Sequence, residues 1–524
     1  MIDEAEERPQ PGLARSAALL SAGNIGSRVL GLVREMVIAY YFGTTGYVSA
    51  FRSVNRTLRL LYDLLVGGMM SAALVPVLSE YAARRDKTAL WQAFSAILTL
   101  FTLLLAVVAL AVSAGAVPII HLLIPGLDPI YQAAGVRMLR LMSWAILFFG
   151  VSGLLTGLLF TLQRFTFPAF TTAVFNLGVV LTVPLLVGRF DVYSLAIGTV
   201  VGSLSQTLLL MPGLLDARIR PIWEPLHPAL VKVWKLYLPL LAGLLVGQAQ
   251  VLIDTNLASR TGQHSLAWMQ NATTLRELPL GLISMAISAA VLPRLSQNIA
   301  SGDTGQYRQT LGYVLRLVIL LTIPAAVGLA VFAKPLIRIL FQRGVFTASD
   351  TRWTALALWG YLPGLFFASI DWPINYSFYA RQDTKTPTLV GIAAVLAYLV
   401  VALALLHPLG MLGLVIADSS KHAFHAITMS VLLYLWLRPV RGKSVFLALG
   451  RSLLAAAAMA AVGLLLSAWL KGAFGVGMIG SFVEVVFGGS IALAMYFSLL
   501  LVLGDTDTRQ LWVRMWSKFF PFLE

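Results

Sequence analysis

Three arginines and an aspartate, Arg52, Arg56, Arg59 and Asp63, recur at helical spacing near the start of the chain. At about 100° per residue Arg56, Arg59 and Asp63 fall within about 40° of Arg52, on a helix face about 16 Å long. Two more arginines, Arg28 and Arg34, lie upstream in Gly26-Ser27-Arg28-Val29-Leu30-Gly31-Leu32-Val33-Arg34-Glu35. Almost everything around them is apolar. Insertion scales put an arginine at the centre of a membrane helix at about 2.5–3.5 kcal/mol, so a group of them predicts a wet cavity and something anionic that enters it. Arg28 and Arg34 either bind that anion or pair with carboxylates such as Glu35, and Arg52 either joins them or snorkels to an interface. Asp63 either neutralises Arg59 at i, i+4 or takes part in transport. Asp254, an acid in the body of a later apolar stretch, is the candidate for a coupling cation or proton, or else pairs with an arginine across the cavity.

Composition sets the class of scaffold that must hold these groups. Of 524 residues, 58% are hydrophobic and 12% charged, which excludes a soluble enzyme of ordinary kind and predicts an all-α polytopic membrane protein. No cysteine is present, which removes disulfides, thiolate nucleophiles and Cys-ligated metals, and the six histidines are scattered. The net charge of +15 sits in connections between apolar spans. It reads as membrane topology and contact with the anionic lipid bilayer, not as nucleic-acid binding. Residues Met1 to Arg15 do not read as a cleaved signal peptide.

Hydropathy predicts about fourteen transmembrane helices. With the amino terminus inside, cytoplasmic segments hold most of the Lys and Arg, for example Arg84, Arg85, Lys87, Arg164, Lys232, Arg381 and Arg441. The opposite connections hold few, among them Arg189, Arg260 and Arg343. That asymmetry predicts a multi-pass protein of the cytoplasmic membrane with both termini cytoplasmic. The tail from Leu511 to Phe520 is basic and aromatic at helical spacing and is expected on the inner leaflet.

The chain also repeats itself. At an offset of 217 residues, Ser71 to Ser79 aligns with Ser288 to Ser296, Pro118 with Pro335, Ile120 with Ile337 and Arg164 with Arg381. Three matches at one spacing predict duplication into two pseudo-symmetric six-helix lobes related by an axis along the membrane normal, plus a two-helix C-terminal hairpin. The expected division is a cytoplasmic tail over 1–15, an N-terminal lobe over 16–218, a C-terminal lobe over 229–437, helices 13 and 14 over 445–503, and an amphipathic cytoplasmic tail over 504–524. Transporters built this way bind near the midplane and expose the site alternately to each side.

Rival chemistries find little support. Gly442-Lys443-Ser444 has Leu437 where a phosphate loop needs its first glycine, and neither a His-Glu-x-x-His nor a Gly-x-Ser-x-Gly occurs. An enzyme reading is left without named catalytic groups, and no metal site is predicted.

The chain resembles the MurJ (MviN) family of lipid II flippases, of the multidrug/oligosaccharidyl-lipid/polysaccharide exporter superfamily. The resemblance is carried by Ser27 to Glu35 with Phe42-Gly43, by Leu74 to Leu78, by Gln163-Arg164-Phe165 with Pro168-Ala169-Phe170 and Asn176, and by Leu278 to Leu282 with Leu292-Pro293. Phe341 to Thr347 and Phe378 to Pro387 complete it. It implies two lobes around a cationic cavity, a groove from the last two helices that takes a polyprenyl tail, and transport, not catalysis. The implied substrate is lipid II, undecaprenyl-pyrophosphate carrying the disaccharide-pentapeptide of peptidoglycan, flipped from the inner to the outer leaflet.

In that frame Arg28 and Arg34 match the family's two helix 1 arginines and hold the pyrophosphate, with Arg52, Arg56 and Arg59 as its approach. Ser49 stands where the family has an aspartate, Gly67 where it has an acid, and Thr274 where it has the helix 8 arginine; Arg276, about 200° round the helix from Thr274, is the substitute. Asp254 is the cation-coupling candidate, with Na+ or H+ as coupling ion and the membrane potential as driving force. No other cofactor is expected; cell-wall synthesis proteins are expected partners. The alternatives are an exporter of another polyprenyl-linked glycan, a drug/cation antiporter of the same superfamily, and a non-transporting cell-wall scaffold.

Overall fold

The structure, a computed structural model, describes residues 11–83, 87–437 and 442–510, and the expected amphipathic stretch from Leu511 to Phe520 lies outside them. Among the described residues every regular element is helical. Apart from a short helix at Thr166–Ala169, they form fourteen helical segments: α1 (Pro11–Phe42), α2 (46–83), α3 (87–123), α4 (Pro129–Thr161), α5 (Thr171–Phe190), α6 (Tyr193–Leu214), α7 (Pro228–Ser259), α8 (Ser265–Ala300), α9 (304–341), α10 (Ala348–Ala380), α11 (Lys385–Leu409), α12 (Met411–Leu437), α13 (Gly442–Phe474) and α14 (Met478–Val502). By length and composition, ten helices among the described residues can cross a membrane. α1 and α2 are not in that ten; they are the segments that carry Arg28, Arg34, Glu35, Arg52, Arg56 and Arg59. α1 begins at Pro11, so the last residues of the expected tail are helical.

The duplication is visible in the helix bounds. Adding 217 to the limits of α1 gives those of α7 to the residue, and the kink after Ala114 in α3 recurs after Val331 in α9. In α2 the helix widens into a π turn at Asp63–Gly67, and α8 does the same at Leu280–Met285, at the same offset. Such single turns insert one residue into the hydrogen-bond ladder and bend the helix.

The fold divides into two compact units, Met1–Ala267 and Trp268–Glu524. α7 therefore belongs by contact to the first unit, although by repeat it opens the second half. The reason lies in its apolar face: Leu230, Val233 and Tyr237 are buried with Leu74, Leu78, Phe94, Ile97 and Leu158 in one cluster. Elsewhere in this unit α5 and α6 approach so closely that a Cβ on Gly178 would lie 2.7 Å from the Gly202 Cα. Small residues at such crossings let membrane helices meet backbone to backbone.

In the second unit Tyr496 is fully buried among Ile319, Leu320, Ile323 and Met459. Its hydroxyl donates to the Leu320 carbonyl at 2.9 Å, tying α14 to α9. α10 and α12 meet at Gly364, where a Cβ would lie 2.7 Å from the Ser419 Oγ. The Ser419 hydroxyl donates to Gly360 O at 2.6 Å and accepts from Gly364 N at 3.1 Å. A side chain inserted into the ladder of α10 in this way fixes the level at which Asp418, its neighbour, sits.

Candidate functional site

In the first unit, α1 and α2 bring the arginines toward carboxylates. Arg34 and Glu35 are adjacent on α1, and Glu35 is only 5% exposed. Its two oxygens are divided: Arg34 Nη2 donates to Oε1 at 2.8 Å and Arg52 Nη2 to Oε2 at 3.1 Å. Arg34 also donates from Nη1 to Asn176 Oδ1 at 2.9 Å, and Asn176 in turn donates to Ser27 O at 3.1 Å. Thus α5 holds α1 through an amide that reads both a backbone carbonyl and a guanidinium. Arg52, 5% exposed, donates its other Nη1 to Ala267 O at 3.1 Å.

One helical turn on, Arg56 Nη1 donates to Asp254 Oδ2 on α7 at 3.2 Å and to Thr255 Oγ1 at 3.3 Å. The Arg56 and Asp254 side chains are partly open, at 21% and 24% exposure. Arg59 is exposed, and Asp63 follows it at the first residue of the π turn. Arg28 is half-buried. Neither Arg28 nor Arg59 makes a hydrogen bond or ion pair with a described residue. Ser49 is fully buried and donates to Gln263 O at 2.6 Å. Five arginines (28, 34, 52, 56, 59) thus stand against three carboxylates (35, 63, 254), an excess of two positive charges in a largely apolar surrounding. Ionised groups persist in such surroundings only when paired or wetted.

The second unit holds Arg276 on α8. Its Nη1 donates to Asp418 Oδ2 at 2.5 Å, and its guanidinium lies 4.7 Å over the Tyr361 ring. Asp418 also receives Lys421 at 2.9 Å, with His422 at 3.8 Å. One turn further, His425 Nδ1 lies 2.7 Å from Asp371 Oδ1 on α10. Asp418, Lys421, His422 and His425 follow at i, i+3, i+4 and i+7, one face of α12. The histidines are scattered along the sequence as a whole, yet His422 and His425 share the spacing on α12 that reveals this cluster. Among the described residues no group of His and acids suits a metal ion.

A family model described as lipid II flippase MurJ matches residues 38–487. A protein of Vibrio cholerae serotype O1 described as a probable lipid II flippase MurJ is 33% identical over 423 residues, covering 78% of this chain and 80% of that protein. The chain belongs to the MurJ lipid II flippase family. A MurJ flippase of Burkholderia cenocepacia is likewise 33% identical, over 73% of this chain and 76% of its own. The fold agrees with that of a solved lipid II flippase MurJ in an inward closed conformation, at a TM-score of 0.78 and 23% identity over 93% of this chain and 99% of that one. An inward-facing multidrug resistance transporter of the MATE family shares the fold at 0.67 and 14% identity, over 80% of this chain and 96% of that one. The MurJ family is one of transporters and not of enzymes.

Proposed function

We propose that the protein carries lipid II from the inner to the outer leaflet of the bacterial cytoplasmic membrane by alternating access, with arginines holding the pyrophosphate. The observation that carries this reading is the excess of guanidinium over carboxylate along α1 and α2, with Arg28 and Arg59 making no hydrogen bond or ion pair with a described residue. A diphosphate supplies the missing negative charge, and planar guanidinium forks suit its oxygens. Arg28 and Arg34 hold it, and Arg59 and Arg56 form its approach. Arg52 is a positioning residue: through Glu35 it fixes the orientation of Arg34. Ser49 and Arg276 act at a remove, one by anchoring α2 and the other through Asp418. A cationic drug would call for acidic walls, which disfavours an antiporter of that kind.

Asp254 is the coupling group in this reading. When Arg56 turns from Asp254 to a phosphate, the carboxylate is left charged within α7 and takes up Na+ or H+. The membrane potential then favours return of the emptied carrier. The excess of Lys and Arg in alternate connections puts both termini in the cytoplasm. Enzymes that make lipid II and enzymes that polymerise it are the expected neighbours.

The test is complementation in cells depleted of their own flippase. Arg28→Glu and Arg34→Glu are expected to insert normally yet fail to support growth or to expose lipid II outside. Full complementation by both would defeat the assignment. For Asp254→Ala, activity unchanged across sodium concentrations and pH would reject the coupling role.

A further inference from the structure

Where α8 ends, α9 and α13 begin and α14 closes, the second unit holds a cavity of about 690 Å³ lined by Arg308, Arg316, Ser444, Arg451, Asp505 and Asp507. A second cavity of about 490 Å³ shares Arg316 and Asp507 with it and adds Arg294. Four arginines therefore face two aspartates. Both acids are already engaged. Asp507 accepts from Arg316 Nε and Nη2 at 2.5 and 3.3 Å. Asp505 accepts the amide and hydroxyl of Thr508 at 2.8 and 2.7 Å. Arg451 gives one Nη1 to Gly504 O at 3.2 Å. Arg308 lines the cavity and makes no hydrogen bond or ion pair with a described residue.

Guanidinium groups that outnumber the carboxylates of a cavity and lack acceptors there call for an anion or water to complete them. The cavity is of ligand size. Its wall is also amphiphilic: Leu447 and Ala448 line it, while Phe446, Leu453 and Leu454 stand exposed along α13. A small anion needs none of that apolar surface.

We propose that this cavity binds the phosphodiester headgroup of an anionic phospholipid, with Arg308 and Arg451 on the phosphate oxygens and the acyl chains against the exposed face of α13. The site is separate from the arginines of α1 and α2, and the proposal does not depend on what the protein transports.

Purified full-length protein in detergent is titrated with phosphatidylglycerol, with phosphatidylcholine and with inorganic phosphate. Phosphatidylglycerol is expected to bind at least about tenfold more tightly than phosphatidylcholine, and the double variant Arg308→Gln/Arg451→Gln to lose about tenfold or more of that affinity, as expected for charge-assisted hydrogen bonds. Asp507→Asn, which releases Arg316 and removes a negative charge, is expected to tighten binding. This opposite direction separates a binding effect from mere loss of fold. Equal affinity for the two lipids, or no change in either variant, would overturn the proposal. So would inorganic phosphate binding as tightly as phosphatidylglycerol, because the cavity would then serve a soluble phosphate.

Discussion

Glu35 and Arg52 meet at 3.1 Å, seventeen residues apart in sequence, with both side chains almost completely buried. The same carboxylate receives Arg34 on its other oxygen at 2.8 Å. A single acid therefore joins α1 to α2 and sets the angle of a guanidinium that remains 23% exposed. Removing one member of such a pair leaves an uncompensated buried charge, which typically costs about 3–5 kcal/mol.

Glu35→Ala is accordingly expected to destabilise the purified protein by about that much, read as a lowered midpoint of thermal unfolding in detergent. Arg52→Met should cost less, because Glu35 keeps Arg34 on its other oxygen. The double variant should lose much less than the sum, since neither charge is left behind. Additive losses would mean that the two groups do not act on one another.

Arg59 gives the opposite expectation. It is exposed and makes no hydrogen bond or ion pair with a described residue, so Arg59→Gln should leave the unfolding midpoint within the small range typical of surface substitutions, about 0.5 kcal/mol. Its transport rate, measured as lipid II exposure in depleted cells, should nevertheless fall. A variant with normal rate would remove Arg59 from the approach path.

Exchanging the partners at Arg56 and Asp254 separates pairing from transport. Arg56→Asp with Asp254→Arg keeps a pair of opposite charges between α2 and α7 and should keep the stability of the unmodified protein. Transport should still fail, because the cation moves to α7 and the acid to α2. Restored complementation would show that the pair serves packing alone.

In the second unit, Asp418 is the acceptor for both Arg276 and Lys421. Asp418→Leu leaves both cations without it and is expected to lower the unfolding midpoint more than Arg276→Met, which leaves Asp418 still paired with Lys421. The reverse order of midpoints would show that Arg276, stacked on Tyr361, contributes mainly through the ring.

A last prediction concerns pH. Outside the spans, Arg164 donates to both oxygens of Asp216, at 2.5 and 2.7 Å, and holds that carboxyl down at about 2, from an ordinary value near 3.8. A folded value below the unfolded one adds stability that is present above about pH 3.8 and lost as pH falls through about 2. Asp216→Asn should therefore lower the unfolding midpoint at pH 7 and have no effect near pH 2. Because more than half of the Asp216 side chain is exposed, water screens the pair and the effect should stay below about 1 kcal/mol. An equal loss at both pH values would point to the Gly213 carbonyl, which Arg164 also binds, and not to the charge.

Much of the architecture could be read from residue order. Apolar runs located the helices because a membrane demands about twenty apolar residues per crossing. The 217-residue offset read from Ser71 and Ser288 is the same one that relates Pro11–Phe42 to Pro228–Ser259. The partners of the arginines were harder to see. Glu35 stands next to Arg34 in the sequence, but its bond to Arg52 depends on how α1 and α2 cross. Asp254 reads from the sequence as a coupling group or an arginine partner; the structure shows the pairing with Arg56, and its coupling role is a proposal. The α12 face from Asp418 to His425 is legible in the sequence, but its partners are not, since Arg276 comes from α8 and Asp371 from α10. Packing likewise decides that α7 sits with the first unit, which an internal repeat alone does not reveal.

The matching widened turns at Asp63–Gly67 and Leu280–Met285 carry a historical consequence. Two daughters of one parental segment share an irregularity at the same place, so the irregularity is older than the gene doubling that separated them. Asp63 occupies that place in one daughter and Leu280 in the other. The bend was inherited by both, whereas the charge that now begins it belongs to one alone.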